Sequence, residues 1–141
     1  MAARSRAFNR GILDTSAFLN LWSLPGTEAL PAEPLISTIT LGELAVGPLL
    51  AQDTHERARR QAPLQWAEDD FVPLPFEIED ARVFGAVSTS LRKSGRKATS
   101  RAFDSMIAAI AIANDLPIHT CNPADFEGIE RLRVVPVPIP Q

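Results

Sequence analysis

Cysteine is almost missing from this chain: Cys121 is the only one in 141 residues. An internal disulfide and a thiolate-based metal site are both excluded, and a reducing, cytoplasmic setting is the expectation. Histidine is nearly as scarce. His55 and His119 stand alone, without the spacing of a zinc site or a Ser–His–acid triad, and read as a surface and a core residue. Long apolar runs are missing too. None reaches the roughly 18 residues a membrane span needs, and the longest, 106–113, reads as a buried helix. The basic segment 1–10 is followed by no long apolar stretch, so no leader is expected. Excess positive charge is lacking as well: 14 Lys and Arg against 17 Asp and Glu give a net charge of −3. Any contact with nucleic acid must therefore come from a local patch. Between Asp80 and Asp104 there is no acid, while Arg92, Lys93, Arg96, Lys97 and Arg101 cluster there. That run suits a phosphate backbone or, equally, a solvated helix face and loop.

What is present is a globular composition, 45% hydrophobic and 22% charged, in a length that fits one domain, 1–141, with its core at about 11–138. Residues 11–13 read as a short buried strand leading into a helix from Ser16. Residues 35–38 read as a second strand, and Thr40 opens a helix that halts or kinks at Gly47-Pro48. Residues 53–68 read as a charged helix interrupted late by Pro63. Residues 71–75 form a proline-marked strand, and Ile78, Ala81, Phe84, Val87 and Leu91 place a helix ending near Ser94-Gly95. Phe103, Met106, Ile107 and Ile110 recur at helical spacing as a core face, and Asn114-Asp115-Leu116-Pro117 stops that helix. A strand at 118–121 and a last one at 134–139 complete the chain; prolines 136, 138 and 140 put the latter on an edge. Strands alternating with helices, without hairpin signals, predict a mostly parallel sheet of about five strands with helices on both faces.

The acids fall at matching places in this pattern. Asp14 follows the first strand, where ligands collect in open α/β sheets; it is also a good helix cap, as are Thr15 and Ser16. Glu43 lies one turn into the helix after 35–38, and Thr40-Leu41-Gly42-Glu43 is also a capping-box pattern. Asp104 sits in the first turn of its helix, favoured by the dipole, yet bordered by Ala108 and Ala111, which predicts partial burial. Asn122 and Asp125 follow 118–121, where an Asx turn and a loop acid are the plain alternatives. Carboxylates converging at one edge raise one another's pKa unless a cation neutralises them, and all-oxygen ligands suit Mg²⁺ or Mn²⁺. The implied chemistry is metal-assisted attack of water on a phosphodiester.

Ile-Leu-Asp-Thr-Ser-Ala (12–17), Ser-Thr-Ile-Thr-Leu-Gly-Glu-Leu (37–44), Phe-Asp-Ser-Met-Ile-Ala-Ala-Ile-Ala (103–111) and His-Thr-Cys-Asn-Pro-Ala-Asp-Phe (119–126), in this order, resemble the PIN-domain ribonucleases. Among these the chain is similar to the VapC toxins of bacterial toxin–antitoxin pairs, from about Ile12 to Val137. The resemblance implies a three-layer α/β/α fold and a Mg²⁺-dependent endoribonuclease, with Mn²⁺ as a possible substitute, held inactive by a VapB-type antitoxin. It puts the family's acids on Asp14, Glu43 and Asp104, its fourth position on Asn122 with Asp125 close behind, and its hydroxyls on Ser16 and Thr120. It also implies a homodimer and an antitoxin that wraps the toxin with a short amphipathic segment. Asn122 departs from the pattern: its amide keeps a carbonyl oxygen but no charge, which favours one metal over two and lets Asp125 compensate. Arg92, Lys93, Arg96, Lys97 and Arg101 are the candidates for gripping RNA.

Two other readings compete. A PIN-like module that only binds RNA or protein has Asn122 in its favour. An aspartyl-nucleophile phosphatase would need a second acid two residues after Asp14, and Ser16 occupies that place. Trp22, Trp66 and Phe84 read as core or dimer surface rather than base-stacking platforms.

Overall fold

The structure, a computed structural model, describes residues 9–95 and 102–139. Its centre is a four-stranded, all-parallel sheet in the order β2-β1-β3-β4, made of β1 (Arg10–Leu13), β2 (Glu33–Leu35), β3 (Ile118–Thr120) and β4 (Val134–Pro136). Ile12 is the registration point, opposite Leu35 on one side and Ile118 on the other. Successive side chains of a strand point to opposite faces, and β1 accordingly feeds two separate cores. Ile12 enters a core with Ile118, Val83, Val87, Leu91, Ile107 and Ile110, while Leu13 enters another with Phe18, Ile36, Leu44 and Ala67. The first core is covered by α4 (Ile78–Lys93) and α5 (Ala102–Ala113), the second by α1 (Thr15–Leu19), α2 (Thr38–Leu49) and α3 (Thr54–Asp70). The result is the expected three-layer α/β/α architecture.

The fifth strand, expected at 71–75, shrinks to one residue. Leu74 bridges Ser37 in parallel, accepting from Thr38 N and donating to Ile36 O, both at 2.9 Å. Pro73 and Pro75 flank it and have no N–H to continue a ladder. β4 also stops early, at Pro136, for the same reason, although Val137 N still donates to Thr120 O at 2.7 Å. It lies on the edge, as its prolines require.

Helix boundaries depart from the sequence pattern where a better cap stands nearby. α1 starts at Thr15, capped by Asp14, whose Oδ1 accepts from Ala17 N at 2.9 Å. α2 starts at Thr38, because Ser37 supplies the cap through Thr40 N at 3.2 Å; strand 35–38 therefore ends at Leu35 and the Thr40–Glu43 capping box does not form. α3 runs unbroken through Pro63 to Asp70, its start fixed by Asp53 accepting from Glu56 N at 2.8 Å. It is held on α2 where Arg60 donates to Gly47 O at 3.0 Å. In α5 the buried stripe is Ser105 and residues 107–111, three of them alanine, which lets the helix lie close against its neighbours. Phe103, expected in the core, is instead 57% exposed at the helix start.

Phe18 meets Trp22 and Phe71 edge-on at 5.4 and 5.5 Å, and Trp22 stacks on Trp66 of α3 at 4.2 Å. The two tryptophans are partly exposed rather than core. Phe84 packs against the α4–α5 core. His55 is exposed on α3 and His119 is buried, as expected. Burial lowers the His119 pKa, and its Nδ1 lies 2.9 Å from Ala29 O, so it is a neutral core imidazole. Among the described residues no helix is long and apolar enough to cross a membrane.

Candidate metal and phosphodiester site

The first acid is placed by the sheet itself. Asp14 follows the last residue of β1, its N–H continues the β1–β3 ladder by donating to His119 O at 3.1 Å, and its side chain is 4% exposed. A buried carboxylate needs partners, and β3 and α1 supply them. Thr120 Oγ1 donates to Oδ2 at 2.5 Å, while Ser16 Oγ and Ala17 N donate to Oδ1 at 2.7 and 2.9 Å. The supporting hydroxyls are themselves held: Asn122 N donates to Thr120 Oγ1 at 2.9 Å, and Cys121 N to Ser16 Oγ at 3.2 Å. Asn20 Nδ2 donates to Ser16 O at 2.9 Å and ties down the first turn of α1.

Burial nevertheless pushes the Asp14 carboxyl above its ordinary pKa; the hydrogen bonds from Thr120, Ala17 and Ser16 oppose the shift, and the charge of Asp125 adds to it. Asp125 is therefore an electrostatic neighbour of Asp14, carried there by the short 3₁₀ turn Pro123–Phe126. Burial, and then the charge of Asp14, also raise the Cys121 thiol, so the lone cysteine is a protonated core residue.

Glu43 reaches this end of the molecule from α2. In place of a cap, its Oε1 accepts from Thr15 Oγ1 at 2.6 Å, which links the second acid to the residue next to the first. Asp104 lies in the first turn of α5, partly buried as expected, with Ala108 and Ala111 fully buried behind it. Its neighbour Phe103 lines a cavity of about 270 Å³ with Glu43, Thr38, Ile39, Gly42 and Val46, so the start of α5 stands beside the acid-bearing face of α2. Asn122 is exposed, and its side chain makes no capping bond to the 3₁₀ turn that comes after it; the Asx-turn alternative is not realised. Arg92 and Lys93 are exposed in the last turn of α4, a position that suits cations for the helix's own sake. Arg96, Lys97 and Arg101 lie outside the described residues.

The donor set can be tested against a divalent ion. Among the described residues no three acid, His or Cys side chains converge into a finished cage. Mg²⁺ does not require one, since it keeps several waters and takes one or two carboxylates directly. Carboxylates, hydroxyls and an amide are ligands of the right hardness, and a cation beside Asp14 would offset both its burial and its repulsion by Asp125. The residues fit such an ion. Thr15 and Thr40 are the site residues that sequence reasoning missed; the signals were the adjacency of Thr15 to Asp14 and the spacing of Thr40 from Glu43, both read as capping.

The PIN domain family model matches residues 11–132. The chain is 32% identical to Ribonuclease VapC of Rickettsia bellii over 133 residues, covering 94% of this chain and 90% of that protein. It is 38% identical to Ribonuclease VapC5 of Mycobacterium tuberculosis over 122 residues, covering 85% of this chain and 87% of that one. Among solved structures, the crystal structure of VapBC-5 from Mycobacterium tuberculosis, a member of the VapBC family of toxin–antitoxin systems, superposes with a TM-score of 0.78 at 34% identity, covering 92% of this chain and 99% of that one. With the acid-bearing carboxyl edge of a parallel sheet and these relatives along almost its full length, the chain belongs to the PIN-domain family and, within it, to the VapC-type toxins.

Proposed function

We propose that this protein is a cytoplasmic toxin, one PIN domain over 1–141, that hydrolyses RNA phosphodiester bonds with the help of a divalent cation, Mg²⁺ or Mn²⁺. The observation that carries the proposal is Asp14: a carboxylate buried at the end of a central strand, supported by three hydrogen-bond donors, with a second acid close enough to repel it. Such an arrangement is costly for a fold and useful for holding a cation. Asp14, Glu43 and Asp104 would hold the ion, with the Asn122 carbonyl oxygen as a further neutral ligand. Bound there, the ion would lower the pKa of a water and stabilise charge on the phosphate oxygens.

The chain's own residues then have defined tasks. Thr120 and Ser16 hold the Asp14 carboxylate in one orientation and favour its charged form. Asp125, whose charge acts on Asp14, is assigned the task of orienting the attacking water and accepting its proton. Arg92, Lys93, Arg96, Lys97 and Arg101 would neutralise RNA phosphates, an assignment supported by their sequence clustering and the exposure of the first two. We further propose a VapB-type antitoxin as the inhibitor, supported by membership in the VapC-type toxins and by the likeness to a VapBC structure, and a homodimer as the working form, an assignment taken from the sequence resemblance alone.

The test is single-turnover cleavage of total cellular RNA by antitoxin-free protein, in Mg²⁺ or Mn²⁺ against EDTA, beside Asp14→Asn and Asp104→Asn. Cation-dependent, site-limited cleavage lost in both variants is the expected result. RNA binding without cleavage under any metal would favour the binding-module reading, for which the uncharged, exposed Asn122 is the specific observation.

A further inference from the structure

Thr15 stands between the first acid and a serine that supports it, and its own hydroxyl is turned to a different task. Oγ1 donates to Glu43 Oε1 at 2.6 Å and lies 3.0 Å from Thr40 Oγ1. A hydroxyl has one proton to give. That of Thr15 is committed to the Glu43 carboxylate, so in the second contact Thr40 is the donor and Thr15 the acceptor. Thr40 is fully buried, where a hydroxyl without a partner is costly, and Thr15 is the partner that satisfies it. The chain of bonds therefore has a single direction, from Thr40 to Thr15 to Glu43. Accepting one bond strengthens the hydroxyl as a donor in the next, and 2.6 Å is the length of a charge-assisted O–H···O⁻ bond.

Glu43 needs such an anchor. It is half-buried on the face of α2 that lines the cavity with Phe103, and a glutamate there has several rotamers to lose before its carboxylate occupies one place. Asp14 and Thr15 are consecutive, so one turn of chain carries the first acid and clamps the second. We propose that Thr15 is a positioning residue, which fixes the Glu43 carboxylate through Oε1 and leaves Oε2 to a divalent cation or its water. The inference rests on the cation-dependent reading above and adds to it the residue that sets the second acid.

The experiment measures binding of Mn²⁺ alone to the whole protein, with thermal midpoints and single-turnover RNA cleavage across a Mg²⁺ titration alongside. The variants are Thr15→Val, Thr15→Ala, Thr15→Ser, Thr40→Val and Glu43→Gln. Partners that orient metal ligands typically contribute 10–100-fold to metal affinity or activity. Thr15→Val and Thr15→Ala should weaken Mn²⁺ about tenfold and raise the Mg²⁺ concentration for half-maximal cleavage by a similar factor. The cleavage rate at saturating Mg²⁺ should fall less. Thr15→Ser, which restores the hydroxyl, should recover most of the affinity, and Thr40→Val should lower it by a smaller factor. A purely structural role would move the thermal midpoint without a serine rescue of Mn²⁺ affinity. Wild-type Mn²⁺ affinity in Thr15→Val or Thr15→Ala would overturn the proposal, as would a serine variant no better than valine. Wild-type affinity in Glu43→Gln would overturn it too, while leaving cation-dependent cleavage through Asp14 standing. Wild-type protein that neither binds Mn²⁺ nor cleaves in Mg²⁺ would remove the underlying reading together with the proposal.

Discussion

At the amino-terminal ends of the strands, Arg10 of β1 pairs with Glu33 of β2 at 3.3 Å, and Arg133, just before β4, pairs with Asp115 at 3.3 Å. All four side chains are about half exposed or more, and water screens both pairs. At the carboxyl ends of β1 and β3, Asp14 and Thr120 are buried, and among the described residues the Asp14 carboxylate is met by two hydroxyls and a backbone amide. The same strands thus carry charge at both ends, in ion pairs where it is exposed and, for Asp14 among the described residues, in hydrogen bonds to neutral donors where it is buried. Burial makes a charge costlier to leave without an opposite one. The asymmetry supports the proposal that chemistry is done at the carboxyl edge.

The contrast between the two ends is tested most severely at Asp14. Asp14→Asn should reduce cleavage by at least about a hundredfold, read in single-turnover assays, whereas Arg10→Ala at the other end should leave cleavage unchanged. Equal losses in both would remove the distinction between the ends.

Between the two ends, Gly11 tests how tightly the strands are packed. A Cβ there would come within 2.4 Å of Nε2 and 2.5 Å of Cδ2 in the buried His119 ring of the neighbouring strand. Gly11→Ala should therefore destabilise the fold by about 1–3 kcal/mol, measured as a lower urea midpoint at unchanged slope. A neutral result would show that the His119 ring can move aside.

A third test uses pH. Burial holds the Asp14 carboxyl above its ordinary pKa, so the metal-free native state binds that proton more tightly than the unfolded chain does. The resulting stabilisation is fully present below the unfolded value, about 3.9, and is lost as pH rises through the higher native value. Asp14→Asn has no charge to bury at any pH, so its urea midpoint should gain on that of wild type as pH rises through this window and keep the gain at neutrality. A difference independent of pH would contradict the assignment of the buried charge to Asp14.

The smallest effect belongs to the exposed end. A double-mutant cycle on Arg10 and Glu33 should give a coupling below about 1 kcal/mol that fades in high salt. A larger, salt-resistant coupling would mean that this end is less solvated than its exposure implies.

Much of this was legible in the sequence, for physical reasons that differ from residue to residue. Asp14 could be placed because Ile12 and Leu13 define a buried strand and an acid directly after it has few other places to be. The capping alternative for Asp14 is realised through one oxygen, while the other accepts from Thr120. Glu43 was harder, since Thr40-Leu41-Gly42-Glu43 is a sound capping box, and only the stronger cap at Ser37 shows why it goes unused. The Thr15–Glu43 bond joins residues 28 apart and depends on how α1 packs against α2, which no local pattern encodes. Phe103 misled because helical spacing identifies an apolar face without saying where the helix leaves the core. The prolines were read correctly in kind, but their effect on strand length was underestimated at 71–75 and at β4.

A buried Asp14 kept for a cation is tested most directly by thermal unfolding of the whole protein in EDTA and then in Mn²⁺, for wild type, Asp14→Asn and Arg10→Ala. A ligand that binds only the native state raises its midpoint. Mn²⁺ should raise the midpoint of wild type and Arg10→Ala alike and leave Asp14→Asn where it was. The same rise in all three proteins, or no rise in wild type, would contradict a cation held at Asp14.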